Sequence, residues 1–144
     1  MLTLGIDTTS PKTGIALLDD YKLIAEVKIS LADPSLEFFS LLNSFLSKNG
    51  ISPKEIDLLG VSVGPGSWTG IRLGITFAKG FLSLFPQKEA FGVSTSEILD
   101  ANPVADLPSP GLLGKLAYQK YRKGERGELK PLYGKTTFKA YKNF

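Results

Sequence analysis

Leu58-Leu59-Gly60-Val61-Ser62-Val63, then Gly64-Pro65-Gly66-Ser67-Trp68, then the unbroken run from Thr69 to Phe85, decide the fold of this chain. The first run is short and apolar and reads as a buried strand. The second is punctuated by glycine and proline and reads as a tight loop. The third runs until Pro86 stops it and reads as a helix. A buried strand that feeds a helix through a short loop is the working unit of an α/β sheet.

Upstream, Leu2–Asp7 is a short apolar run that ends in the polar turn Asp7-Thr8-Thr9-Ser10-Pro11. Gly14–Leu18 reads as a second strand and Lys22–Ile29 as a third, with Asp19-Asp20 turning between them. Turns this short imply an antiparallel meander. Asp33-Pro34 opens a helix that runs to about Lys48 and stops at Asn49-Gly50. Downstream, Ala90–Val93 reads as a fifth strand, and Ser94-x-x-Glu97 as the capping box of a short helix. The order β-β-β-α-β-α-β-α predicts a mixed five-stranded sheet with helices on both faces. That is an α/β half-domain of the actin-like ATPase and ribonuclease H-like layout. Residues 1–101 are assigned to it. From Asn102 to Gly111 the chain is broken by Pro103, Pro108, Pro110 and Gly111 and reads as a linker. Leu112–Lys123 reads as a short helix. Residues 102–144 together are expected to be linker, short helix and basic aromatic tail.

The composition excludes several chemistries. The 144 residues contain no cysteine and no histidine. Disulfides, thiolate nucleophiles, Cys-based zinc sites and Ser-His or Cys-His hydrolases are therefore ruled out. The net charge of +3 hides an asymmetry. Residues 1–110 carry 8 basic and 12 acidic side chains, residues 111–144 carry 9 and 2. A basic tail on an acidic body points to an acidic partner, or to a solvated tail helix. Leu2 to Ile6 reads as a strand with no basic region before it, and the longest apolar stretch, Gly70 to Phe85, is too short to span a bilayer. A cytoplasmic location without membrane contact is the default expectation.

Both long helices carry more apolar surface than one sheet needs. Placed at about 100° per residue, Arg72, Thr76, Lys79 and Ser83 fall in an arc of roughly 60°, and the apolar side chains from Ile71 to Phe85 spread over about 220°. In the earlier helix Leu41, Phe45, Phe38, Leu42, Leu46 and Phe39 span about 160°. A small monomer seldom leaves such a patch wet. The helices either pack on each other and on the C-terminal helix, or form an intermolecular interface. The expected interface residues are Phe38, Leu42, Phe45, Gly70, Gly74, Phe77, Ala78 and Phe81. Gly66, Gly70, Gly74 and Ala78 recur every four residues, as they do where something packs closely on that face, the chain's own sheet included.

The loop residues Gly64, Gly66, Ser67 and Thr69 lie between a strand and a helix, where free N–H groups can hold phosphate. No Lys-Ser or Lys-Thr follows, so this is not a P-loop, and a tight turn explains it better. The turn Asp7-Thr8-Thr9-Ser10 lacks the glycine that would let backbone approach a phosphate, and Ser62-Val63-Gly64 supplies no second acid for metal ions. No catalytic residue, metal ligand or cofactor site is assigned.

Leu4-Gly5-Ile6-Asp7-Thr8-Thr9, Gly64-Pro65-Gly66-Ser67-Trp68-Thr69-Gly70-Ile71-Arg72-Leu73-Gly74, Ala78-Lys79-Gly80 and Gly92-Val93-Ser94-Thr95 resemble the TsaB (YeaZ) family. The resemblance covers roughly residues 1–100, and Pro131-Leu132-Tyr133 resembles the family's C-terminal Pro-x-Tyr segment. It implies a non-catalytic subunit of the bacterial complex that makes threonylcarbamoyladenosine at position 37 of tRNA. The implied partners are a TsaD-like catalytic subunit, bound through a helical bundle, a TsaE-like ATPase subunit and a second copy of the chain, with tRNA met only through the complex. Typical members have a second half-domain, for which the roughly 40 residues after Ala101 are too few. Two other readings stand beside this one. A small actin-like ATPase would need a phosphate-binding glycine near Asp7. A direct RNA-binding module would use Tyr118, Tyr121, Tyr133, Tyr141, Phe138 and Phe144 among the nine cations of the tail.

Overall fold

The computed structural model describes residues 1–101 and 109–134. Strands β1 (Leu2–Asp7), β2 (Thr13–Asp19) and β3 (Lys22–Ile29) form the expected antiparallel meander. The chain turns between β2 and β3 at Asp20, whose φ of 51° is a left-handed value that aspartate tolerates better than most residues. β4 (Leu58–Ser62) lies parallel to β1, and β5 (Glu89–Val93) parallel to β4. The sheet order is β3-β2-β1-β4-β5. Helices α1 (Pro34–Lys48), α2 (Trp68–Leu84), α3 (Thr95–Ala101) and α4 (Pro110–Arg122) and a 3-10 turn at Pro53–Glu55 are the other elements among the described residues. This is the actin-like, ribonuclease H-like half-domain.

Local chemistry sets the boundaries. Asp33 stands at the N-cap of α1, but its side chain makes no cap bond; Glu37 reaches back instead and accepts the Asp33 N–H at 2.6 Å. The capping box of α3 is complete, with Ser94 N–H donating to Glu97 Oε1 and Glu97 N–H to Ser94 Oγ, both at 3.1 Å.

The strands alternate between two faces, and each face has its own core. Leu4, Ile6, Ile15, Leu17, Leu59 and Val61 meet Phe38 and Phe45 of α1 and Ile71, Ile75 and Ala78 of α2. On the other face Leu58, Phe91 and Val93 meet Ile98 of α3 and Leu113, Ala117 and Tyr118 of α4.

The place of α4 ties the later residues to the sheet. It starts at Pro110, two residues earlier than expected, and it covers the second face of the sheet rather than trailing behind the domain. Its approach is close. A side chain at Gly5 would collide with the Pro110 carbonyl oxygen, and a Cβ on Gly60 would stand 2.6 Å from that of Ala117. Glu26 of β3 accepts the Ser109 hydroxyl at 2.8 Å and the Gly111 N–H at 3.1 Å, a carboxylate at a helix N-terminus. The Tyr118 hydroxyl donates to Asp20 Oδ1 at 2.9 Å. The sequence signal missed here is the alternation of β1 itself: Leu4 and Ile6 point one way, and Gly5 between them leaves room for a helix on the other side. The linker residues Asn102–Pro108 lie outside the described residues.

After α4 the chain returns along the edge of the sheet. Glu128 accepts the Gly92 N–H of β5 at 2.7 Å, and Leu132 N–H donates to Val63 at 2.8 Å. Among the described residues no helix is long and apolar enough to cross a membrane.

Removing α4 would expose Phe91, Leu58 and Val93, and burial of such side chains is worth about 1.5–3 kcal/mol each. A chain ending at Ala101 is therefore expected to show no cooperative thermal unfolding by circular dichroism. A sharp melt of residues 1–101 alone would make α4 an appendage.

Candidate functional site

The start of α2 and the end of β1 form one buried junction. Gly64 leaves β4 with φ of 97° before a cis Gly64–Pro65 bond, a backbone that glycine adopts readily. Ser67 then caps the helix, its Oγ accepting the Gly70 N–H at 3.2 Å. The space in front of the helix is filled by the chain's own first turn. Thr9 accepts the Ser67 N–H at 2.9 Å, Thr8 Oγ1 donates to the Gly70 carbonyl at 2.5 Å, and a Cβ at Gly70 would collide with the Thr8 carbonyl. Of the sequence-assigned loop residues, Gly64 and Ser67 thus serve the turn and the cap, Gly66 is half-buried and Thr69 exposed.

Asp7 lies beneath this junction, almost fully buried. Its Oδ1 accepts the Thr9 N–H at 2.8 Å and the Thr9 hydroxyl at 2.7 Å, and its Oδ2 accepts the Ser10 hydroxyl. Thr9 Oγ1 in turn lies 3.0 Å from Ser62 Oγ. Burial pushes the Asp7 carboxyl above its ordinary value, and the hydroxyl and backbone donors of Ser10 and Thr9 pull the other way without cancelling it. No group of three His, Cys, Asp or Glu side chains that could hold a metal ion occurs among the described residues.

The feature that faces solvent is an apolar groove between α1 and α2. It encloses about 420 Å³, with Leu4 on its floor and Phe39, Leu42, Leu73, Phe77, Phe81, Leu84 and Phe85 on its walls. Phe39 is 50% exposed and Leu84 76%, large apolar side chains left in water on adjacent helices. The Phe39 and Phe77 rings stand 6.0 Å apart across the groove.

The sequence-assigned interface residues divide. Leu42, Phe77 and Phe81 line the groove. Phe38, Phe45, Gly70, Gly74 and Ala78 do not: all five are buried within the chain's own fold. A Cβ at Gly74 would lie 3.1 Å from Thr8 Oγ1 and one at Gly70 would collide with the Thr8 carbonyl, so these two glycines admit the Thr8 turn. Phe39 and Leu84, which also line the groove, were not among the assigned residues, although both lay in the apolar arcs. A helical wheel gives an arc's width, not which part of it the sheet covers. The aromatic tail is also redistributed. Tyr118 is buried on the sheet, Tyr133 packs beside Trp68, and Phe138, Tyr141 and Phe144 lie outside the described residues.

Residues 35–113 match the family model of TsaD, tRNA N6-adenosine threonylcarbamoyltransferase. The chain is similar to the tRNA threonylcarbamoyladenosine biosynthesis protein TsaB of Bacillus subtilis (strain 168), 38% identical over 80 residues, covering 55% of this chain and 35% of that one. TsaB of Escherichia coli (strain K12) is 33% identical over 95 residues, 66% of this chain and 41% of that one. The chain thus spans little more than a third of the length of these relatives. Among solved structures, YeaZ from Pseudomonas aeruginosa superposes with a TM-score of 0.61 at 22% identity, over 69% of this chain and 46% of that one. RuvC of Thermus thermophilus superposes at 0.52 and 12% identity, over 92% of this chain and all of that one. Both report the fold.

Two outcomes follow from the junction. Gly74→Leu should cost about 1–3 kcal/mol of stability by overpacking, read in urea denaturation. An unchanged midpoint would return Gly74 to an open surface. The raised Asp7 carboxyl means the native state holds its proton more tightly than the unfolded chain. Its contribution to stability is fully present below the ordinary carboxylate value of 3.8 and is lost as pH rises through the native value. Stability measured against pH should fall across that window less in Asp7→Asn than in the parent. Identical pH slopes in the two proteins would contradict this account of Asp7.

Proposed function

We propose, from the premise that this chain belongs to the TsaB (YeaZ) family within the wider TsaD threonylcarbamoyltransferase family, that it is a non-catalytic partner subunit in the synthesis of tRNA threonylcarbamoyladenosine. Its task is to dock on a TsaD-like catalytic subunit through the α1–α2 groove, with a TsaE-like ATPase subunit joining the assembly. A second copy of the chain competes for the same surface.

The observation that carries this reading is the groove itself. Aromatic and leucine side chains of α1 and α2 line an open apolar groove, with Phe39 and Leu84 left exposed, and they suit a helix of another protein. Interface cores of this kind are enriched in aromatic residues and depleted of charge. A catalytic role, which the name of the family model invites, finds less support. The N-terminus of α2, where phosphate would sit, is occupied by the Thr8–Thr9 turn, and the Asp7 oxygens are engaged by neighbouring hydroxyls.

Phe39→Glu and Leu84→Glu place charges on exposed positions of the groove and should leave the melting temperature nearly unchanged. Each should weaken association with the TsaD-type subunit of the same organism by at least about tenfold, the loss typical of a central apolar contact. Isothermal titration calorimetry gives the affinity, and analytical ultracentrifugation follows any self-association in parallel. Full affinity in both variants would move the interface off the groove.

A further inference from the structure

A second exposed patch lies at the other end of α2 from Leu84, and the groove does not account for it. Trp68, the one tryptophan of the chain, is 60% exposed at the first position of the helix. Tyr133, 44% exposed, packs against it edge to face with ring centroids 5.4 Å apart. Arg72, one helical turn beyond Trp68, points its Nε at the Tyr133 hydroxyl at 3.4 Å, and its guanidinium carbon lies 5.7 Å from the centre of that ring. The support beneath is fixed on both sides: Ser67 caps the helix at Trp68, and the residue before Tyr133 is bonded to Val63. The patch stands beyond the carboxyl ends of the parallel strands β1 and β4, the side on which open α/β sheets carry their ligands.

Two aromatic faces with a guanidinium beside them suit a planar ring that carries an anion. The charges closest in the chain agree. Within four residues of Trp68 the one charged side chain is Arg72, and within four of Tyr133 they are Lys130 and Lys135. Exposed aromatic rings with a cation beside them are the pattern of single-strand nucleic-acid binding.

We propose that Trp68, Tyr133 and Arg72 form a base-stacking contact for single-stranded RNA, by which this subunit touches the RNA substrate of the assembly. This rests on the subunit reading above and adds a point of contact to it. Stacking supplies a sequence-tolerant grip, and Arg72 neutralises a flanking phosphate.

The position of Trp68 makes the test direct, because all tryptophan fluorescence of the chain reports this patch. The full chain is titrated at low salt with a ten-nucleotide oligoadenylate and with an RNA duplex of the same length. The single strand should quench the emission saturably, and the duplex should not, its bases being stacked already. Tyr133→Ala should weaken binding about tenfold and Tyr133→Phe should restore it, with unchanged melting temperatures. Arg72→Gln should lower the slope of log affinity against log salt by about one. Absence of quenching up to millimolar oligoadenylate, or an unaffected Tyr133→Ala, would overturn the proposal. So would quenching by a TsaD-type subunit without RNA, which would assign the patch to a protein. If Phe39→Glu and Leu84→Glu leave transferase association intact while oligoadenylate still quenches, the docking reading fails and the RNA contact stands.

Discussion

The turn at Thr8 and Thr9 pressed against the first turn of α2 is the constraint on which the rest of the molecule depends. It joins the amino-terminal hairpin to a helix more than sixty residues later through two hydrogen bonds and a contact too close for any side chain at position 70. With that contact made, β1 and β4 must lie side by side, α2 must cross the face shared by Leu4 and Ile6, and Asp7 must be enclosed. The same contact consumes the phosphate-binding potential of a helix N-terminus. A geometry that serves chemistry in other α/β proteins serves packing here.

Much of the fold was legible because its signals are local. Strand boundaries at Leu2–Asp7 and Lys22–Ile29, the stop at Asn49-Gly50 and the box at Ser94 and Glu97 each follow from neighbouring residues in the chain. The place of α4 was not legible in that way. Pro103, Pro108 and Pro110 read as a linker, and what sends the helix back onto the sheet is distant: the missing side chains at Gly5 and Gly60, the Glu26 carboxylate and the Asp20 turn. A proline at the first position of a helix and a proline in a linker look alike until the partner surface is known.

The site was legible as a quantity and not as a direction. Surplus apolar surface on α1 and α2 was visible in the width of their arcs. Which residues formed the surplus depended on how each helix rolls on the sheet. Phe38 and Phe39 are neighbours in the chain, yet one is sealed in the core and the other stands half in water. Gly70 and Gly74 looked like a track for a partner helix because glycine marks close approach without naming what approaches. The approaching group is Thr8, on a segment that periodicity within the helix does not report.

The return of residues 128–132 along β5 has a consequence for how such sheets can meet. It takes up the Gly92 N–H on the outer side of β5, while β3, at the opposite margin, runs eight residues with Leu23, Ile24 and Ile29 part-exposed and, among the described residues, no strand on its outer side. A sheet with two open margins can add neighbours without limit, and that is the route to fibres. With β5 obstructed, strand-to-strand addition is left with one margin per molecule. Two molecules joined through it would use up both, so any assembly made by this route terminates at a pair, and Lys22 and Lys28 on that strand set a charge cost on forming even that.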